Sequence, residues 1–250
     1  MGFEVSGAAY DRFMGRYSRA LAPQLADFAG VTAGQRVLDV GSGPGALTAE
    51  LVARAGATAV TAVDPSTTFV AALRERLPDV ESAQASAETL PFADAAFDVA
   101  LAQLVVHFMA DPVAGLREMA RVTRPGGVIA ACVWDHAGER SPLATFWRAA
   151  RELDPGVRDE SGLPGAREGA LTDLLHEAGL ADVAVAEHEA AFRPASFEEW
   201  WEPFTLGVGP AGAYATGLDD DARGTLRERC RELLPEAKPA VVWAARGVVS

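Results

Sequence analysis

Residues 36–48, Arg-Val-Leu-Asp-Val-Gly-Ser-Gly-Pro-Gly-Ala-Leu-Thr, constrain the fold of this chain more than any other stretch. Val37, Leu38 and Val40 make the short apolar run of a buried parallel strand, with Asp39 near its end. Glycines follow at alternate positions (Gly41, Gly43, Gly45). Ala46 then opens a helical pattern carried by Leu47, Leu51, Val52 and Ala55, and Gly56 stops it. A strand, a glycine turn and a helix in succession are how an α/β protein builds a nucleotide site. The glycines let the backbone approach a ligand, and the helix start offers unpaired N–H groups.

The chain continues in the same alternation. A second strand over 59–63 ends at Asp64, and Pro65-Ser66 lead into a helix bearing Phe69, Val70, Leu73 and Leu77. Asp64 lies one βαβ step after Asp39. A carboxylate at that strand end can accept hydrogen bonds from both ribose hydroxyls, or it can cap the following helix. A third strand is expected near 80–85 and a fourth over 97–102, running into Gln103-Leu104-Val105-Val106-His107-Phe108. Asp111-Pro112 reads as an N-cap with proline in the first turn, and a fifth strand covers 128–134. Beyond residue 136 the pattern loosens. Residues 141–153 and 171–178 read as helical, and 154–167 are rich in Pro, Gly and charge. A sixth strand is expected over 183–192, a helix over 219–234 and a seventh strand over 240–245. Between them Phe197, Trp200, Trp201, Phe204 and Leu206 form an aromatic cluster, read either as a wall of an apolar substrate pocket or as core packing.

Bulk properties narrow the function classes. A chain of 250 residues with 49% hydrophobic content suits one large α/β domain with insertions. A net charge of −13 without a basic run argues against a nucleic-acid surface. The apolar stretches 97–110 and 127–134 are too short to span a bilayer, and the residues before 20, with Glu4, Asp11 and several arginines, lack the apolar core of a signal peptide. No membrane association is expected. Cys132 and Cys230 make neither a disulfide framework nor a metal pattern, so reduced thiols in a cytoplasmic protein are expected, with no metal site.

The glycine pattern admits two ligands. As Gly-x-Gly-x-x-Ala it loosely fits the dinucleotide fingerprint. As Asp39-x-Gly41-x-Gly43-x-Gly45 it resembles the first motif of the class I S-adenosylmethionine (SAM) methyltransferases. Asp39 separates the two, because a carboxylate beside the turn repels a pyrophosphate but suits a ligand with an ammonium, a sulfonium and no phosphate. The resemblance extends to Asp64, to Ser86-Ala87-Glu88-Thr89-Leu90-Pro91-Phe92 and to the Pro125-Gly126-Gly127 turn before the fifth strand.

The resemblance implies a Rossmann-like α/β fold: seven mostly parallel strands, helices on both faces and helical substrate-cap insertions. Residues 1–135 would form the SAM-binding core with an N-terminal helical lid, and 136–250 the remainder of the same domain with its cap. It further implies that Asp39, Gly41, Ser42, Gly43 and Gly45 surround the methionine end and that Asp64, Pro65 and Ser66 hold the ribose. Ser86 and Ala87 would meet adenine, with Ser86 standing where the family has an acid and Glu88 read as a solvated loop charge. Gln103 and Leu104 would flank the methyl-donating centre. Residues 10–17, otherwise an amphipathic helix packed on the sheet, resemble a family segment that folds over the cofactor. There Tyr10, Met14 and Arg16 would close the site, with Arg16 able to meet a carboxylate. His107 is the candidate general base, against a structural role on an apolar segment. Trp134, Asp135 and His136 would emerge on the acceptor side. The expected activity is methyl transfer from SAM to a small-molecule acceptor. An NAD(P)-dependent oxidoreductase and a non-catalytic SAM-binding domain remain as alternatives.

Overall fold

The computed structural model of the chain describes residues 6–192, 194–236 and 239–250. Among them seven strands form one sheet: β1 (Val37–Val40), β2 (Val60–Asp64), β3 (Glu81–Gln84), β4 (Phe97–Gln103), β5 (Thr123–Trp134), β6 (Ala181–Ala190) and β7 (Ala240–Val248). The order is β3-β2-β1-β4-β5-β7-β6, parallel except for β7, which runs antiparallel to both neighbours. After β1 the chain builds outward through β2 to β3, then returns to place β4 on the other side of β1. Loops leaving β1 and β4 diverge there, and their carboxyl ends open a crevice.

The ten α-helices described are α1 (Gly7–Tyr10), α2 (Arg16–Ala29), α3 (Ala46–Ala55), α4 (Thr67–Arg76), α5 (Pro112–Val122), α6 (Ala144–Leu153), α7 (Ala170–Glu177), α8 (Phe197–Trp201), α9 (Gly209–Gly217) and α10 (Asp220–Leu233). Alternation along β1 assigns the two faces. Val37 joins the core under α2 and α3 (Leu21, Leu25, Leu47, Leu51), whereas Leu38 and Val40 join the one under α5 and α7 (Leu116, Met119, Leu171, Leu175). Asp39 therefore points to the α3 side, where Thr48 receives it.

A third apolar cluster stands apart from both sheet faces. It gathers Phe13 with Phe146 and Trp147 of α6, Trp200 and Trp201 of α8, Phe204, and Leu226 and Cys230 of α10. Phe146 stacks on Phe204 at 4.6 Å and 5°. The aromatic cluster foreseen at 197–206 is thus the core of a helical cap.

Three local features depart from the sequence reading. The N-terminal helix is not continuous. A π-helical turn, Asp11–Gly15, separates α1 from α2, and such turns shift the faces of the residues they carry. The Pro125-Gly126-Gly127 segment lies inside β5 as a bulge, not as a turn before it. The β4–β5 register slips between Phe97 and Val99, Gly126 takes φ 74°, and Gly127 donates no Cβ where one would meet Asp98 O at 2.7 Å. Helix α9 has no counterpart in the expectation, because Gly-Pro-Ala-Gly-Ala-Tyr-Ala lacks an amphipathic pattern.

Truncating Phe146 to Ala removes a fully buried ring from the cap core. It should lower unfolding free energy by about 3–5 kcal/mol in urea titration.

Candidate active site

The glycine turn is folded onto β2. Both Gly41 N–H and Ser42 N–H donate to Val63 O, at 2.8 and 2.9 Å. Gly41, Gly43 and Gly45 take φ of 71°, 54° and 96°. Their surroundings differ. A Cβ on Gly41 would lie 2.4 Å from a methyl of Val105, so this glycine lets the loops after β1 and β4 close on each other. A Cβ on Gly43 would meet nothing nearer than the Tyr10 ring at 3.9 Å. Open space lies on that side.

Two buried carboxylates bracket the turn. Asp64 accepts from Gly43 N–H and Ser66 N–H, each at 2.8 Å, one on each oxygen. Ser66 is the cap of α4, its Oγ accepting from Phe69 N–H at 3.3 Å, so Asp64 joins the end of β2 to the turn and is not itself the helix cap. Each Asp64 oxygen retains a lone pair for a further donor. Burial raises its pKa, opposed by those two hydrogen bonds. Asp39 accepts from Thr48 Oγ1 at 2.6 Å through Oδ2, while Oδ1 is buried with no partner among the described residues. Burial, with a smaller contribution from Asp64, lifts the Asp39 pKa to about 7.

A cavity of about 360 Å³ extends from this turn into the crevice between β1 and β4. At one end it is lined by Gly41, Gly43, Asp64, Pro65, Ser66 and Phe69, with Ser86 and Ala87 opposite. Tyr10 and Met14 cover it from the N-terminal segment. Tyr10 packs edge-on against Phe69 at 5.3 Å, and burial pushes its hydroxyl up to about 12. Gln103 and Leu104 also line the cavity. Gln103 Nε2 donates to Ser18 O at 3.0 Å, leaving Oε1 buried and unpartnered among the described residues. Leu104 is held at φ 61°, which a leucine rarely adopts.

The far end is made from elements remote in sequence. His107, Phe108 and Met109 come from the loop after β4, Trp134 from the end of β5, and Phe13 from the π turn. Leu143, Glu160 and residues 208–211 come from the cap side. His107 is buried and its ring centroid is 5.9 Å from that of His136. Burial, with His136 nearby, holds its pKa well below the usual imidazole range, and burial likewise takes His136 to about 4. Both rings are neutral at pH 7.

Of the residues singled out in the sequence, Tyr10, Met14, Gly41, Gly43, Asp64, Pro65, Ser66, Ser86, Ala87, Gln103, Leu104 and His107 line this cavity. Asp39, Ser42 and Gly45 lie behind its surface. Arg16 is turned away. Its guanidinium donates to Glu199 O and Phe13 O and sits 4.6 Å from the Phe192 ring centroid, because the π turn rotates it to the cap side. The carboxylate it meets belongs to Glu199, at 4.0 Å. Glu88 is not a free loop charge. It accepts from Ala110 N–H at 2.8 Å and lines the cavity. Sequence reasoning passed over Phe13, Glu160 and residues 208–211, since an acid in a Gly/Pro-rich loop reads as solvated. Among the described residues no cluster of His, Cys, Asp and Glu could hold a metal ion, and no helix is long and apolar enough to cross a membrane.

The donor set can be tested against ligands. The Gly43 N–H, which would face a diphosphate, is already taken by Asp64, and a diphosphate would lie against two buried carboxylates. A phosphate-free nucleoside carrying cationic groups fits instead. Asp64 has room for ribose hydroxyls, Gln103 lines the cavity with its Oε1 unpartnered among the described residues, and Asp39 stands behind the surface, where its charge favours a cation.

Because the folded state holds the Asp39 proton to about pH 7 and the unfolded chain only to about 4, stability falls as pH rises between those values and is flat above them. Asp39→Asn should therefore stabilise the ligand-free protein by about 1–3 kcal/mol at about pH 8, a gain that vanishes near pH 4 in urea titrations.

Comparison with known proteins agrees with this chemistry. A family model described as a methyltransferase domain matches residues 38–131. A demethylmenaquinone methyltransferase of Mycobacterium sp. (strain KMS) is 41% identical over 119 residues, 48% of this chain and 50% of that protein. An uncharacterized methyltransferase of Mycobacterium tuberculosis (strain ATCC 25618 / H37Rv) is 36% identical over 166 residues, 66% of this chain and 65% of that one. The match thus spans about half the length of the first relative. Among solved structures, a SAM-dependent methyltransferase from Thermotoga maritima superposes with a TM-score of 0.56 at 18% identity, covering 97% of this chain and 99% of that one.

Proposed function

We propose that this chain, which matches a methyltransferase-domain family model and relatives named as methyltransferases, is a class I SAM-dependent methyltransferase that transfers a methyl group from SAM to a small, largely apolar acceptor. The observation that carries the reading is the buried Asp64 carboxylate at the glycine turn, with Asp39 buried behind it, on a cavity whose other end is mostly apolar. Bound SAM would supply a methyl group on a cationic sulfur, which needs only an aligned nucleophile.

The chain's own residues divide that work. Asp64 would hold the ribose hydroxyls, while Ser86 and Ala87 face the base. Gln103 would face the ammonium end, and Asp39, behind the cavity surface, would favour that cation through its charge and not by contact. Tyr10 and Met14 close over the cofactor and exclude water, and the α1–π segment is tied down by Arg76, which pairs with Asp11 at 2.6 Å. At the acceptor end Trp134, Leu143, Met109 and Val208 present apolar surface. The curated relatives named for demethylmenaquinone suggest an acceptor with an apolar ring, and the aromatic and aliphatic lining suits one. The alternatives are disfavoured by the same features. A dinucleotide would meet the carboxylates, and a cofactor-only domain would have no use for the second compartment.

Calorimetry with S-adenosylhomocysteine, which retains the ammonium, tests the cofactor site. Binding should strengthen as pH rises from about 6 to 8, with a proton released at the lower pH, because a cation favours the ionised form of Asp39. Asp39→Asn should flatten that dependence. Asp64→Asn should weaken affinity by about tenfold or more. Tighter binding of NADH than of S-adenosylhomocysteine, or no binding at millimolar concentration, would refute the assignment.

A further inference from the structure

Glu160 is an acid the reaction described so far does not use. It belongs to the loop between α6 and α7, is 3% exposed, and lines the acceptor end of the cavity. The loop is held in place from several sides. Leu163 N–H donates to Glu160 O at 3.1 Å, Ala166 N–H to Leu163 O at 3.1 Å, and Ala137 N–H to Ala166 O at 3.1 Å, fastening it beside the end of β5. The indole N–H of Trp147 donates to Glu160 Oε2 at 2.7 Å, which fixes the carboxyl and occupies one of its lone pairs. Burying a carboxyl in an otherwise apolar wall is costly, and a loop anchor does not require one.

The surrounding charges set its proton affinity. Asp159, its neighbour, pairs with Arg151, which also binds Glu139, and Ser161 donates to Asp159 as well. His136 and His107 are neutral. Burial, with a smaller push from Asp159, raises the Glu160 pKa to about 7 against the Trp147 hydrogen bond. His107, its pKa held well below the usual imidazole range by burial and its Nδ1 without a partner among the described residues, forms part of the wall.

Resting on the methyl-transfer reading above, the geometry points to Glu160 as the proton acceptor for the methyl acceptor, and hence to an apolar acceptor bearing a phenolic or enolic hydroxyl. In that step the acceptor O–H bond breaks and its proton moves to Glu160. The electron pair left on the acceptor forms the new bond to the methyl carbon, and the sulfur keeps the pair of the bond that breaks. An amine acceptor suits this wall less. A carboxylate would hold it as an ammonium, with its lone pair committed to a proton. An alkyl alcohol holds its proton too tightly for a base of this strength.

The test uses the full chain saturated with S-adenosylhomocysteine and titrated with 2-naphthol and with naphthalene, which lacks the hydroxyl. The wild-type protein should prefer 2-naphthol by about tenfold at pH 8, a preference that declines as pH falls through about 7 and the carboxyl gains its proton. Glu160→Gln, which keeps an acceptor for Trp147, should bind S-adenosylhomocysteine within about twofold of wild type yet show a small, pH-independent preference. Trp147→Phe keeps an aromatic ring but removes the N–H that lowers the Glu160 pKa, so the midpoint should move to higher pH. An unchanged preference in Glu160→Gln, or equal wild-type affinity for both probes, overturns the role of Glu160 while leaving the cofactor reading intact. Failure of the wild-type protein to bind S-adenosylhomocysteine overturns both.

Discussion

The site depends on the Asp64 carboxylate gripping two backbone N–H groups, Gly43 on one oxygen and Ser66 on the other. Charge-assisted hydrogen bonds of this kind are short and strong, and here they are buried, where competition from water is least. One interaction therefore fixes the glycine turn relative to the end of β2 and the start of α4. It also determines what can bind. The turn's N–H at Gly43 is consumed internally, which disfavours a diphosphate laid over the turn. Asp39, one strand over, adds a second acid whose proton is poised near neutrality. Two buried acids around one turn are a cost to the empty fold that a cationic ligand offsets.

The far end of the cavity rests on different physics. Its walls come from the loop after β4, the end of β5 and a cap with its own aromatic core. Because that core packs on itself, with the Phe146–Phe204 stack at its centre, the cap holds residues 208–211 and Leu143 over the crevice without drawing on the sheet's apolar faces. The π turn at Asp11–Gly15 couples the two halves. It directs Phe13 into the cap, 5.2 Å from Phe204, while Tyr10 and Met14 stay over the glycine-turn end of the cavity. Arg12 and Arg16, which the same turn sends outward, bind Glu202 and Glu199 of the cap.

The glycine-turn end of the cavity was largely legible because its residues are local. Strand β1, its glycines and α3 occupy consecutive positions, and the acids at strand ends recur one βαβ step apart, so periodicity and turn chemistry suffice. Local reading failed where a small change in helical geometry redirects side chains. Arg16 was grouped with Tyr10 and Met14 by the resemblance of residues 10–17 to a family segment, and the π turn separates them. It failed again at Pro125-Gly126-Gly127, which reads as a turn but forms a bulge where the β4 register skips from Thr123 to Val128 and the segment after β7 pairs with Gly126 and Gly127.

The sequence by itself determined the α/β alternation, the glycine turn and the identity of the two acids beside it, because each of these is a matter of neighbours along the chain. Only the tertiary structure decided which groups share a cavity with them. Glu160 lies more than a hundred residues from the glycine turn, in a loop whose composition suggests solvent, and it faces the crevice only because Trp147 and the end of β5 hold the loop there. Its proton affinity, like that of His107, follows from burial among distant segments, and burial is a property of the fold that no run of adjacent residues encodes.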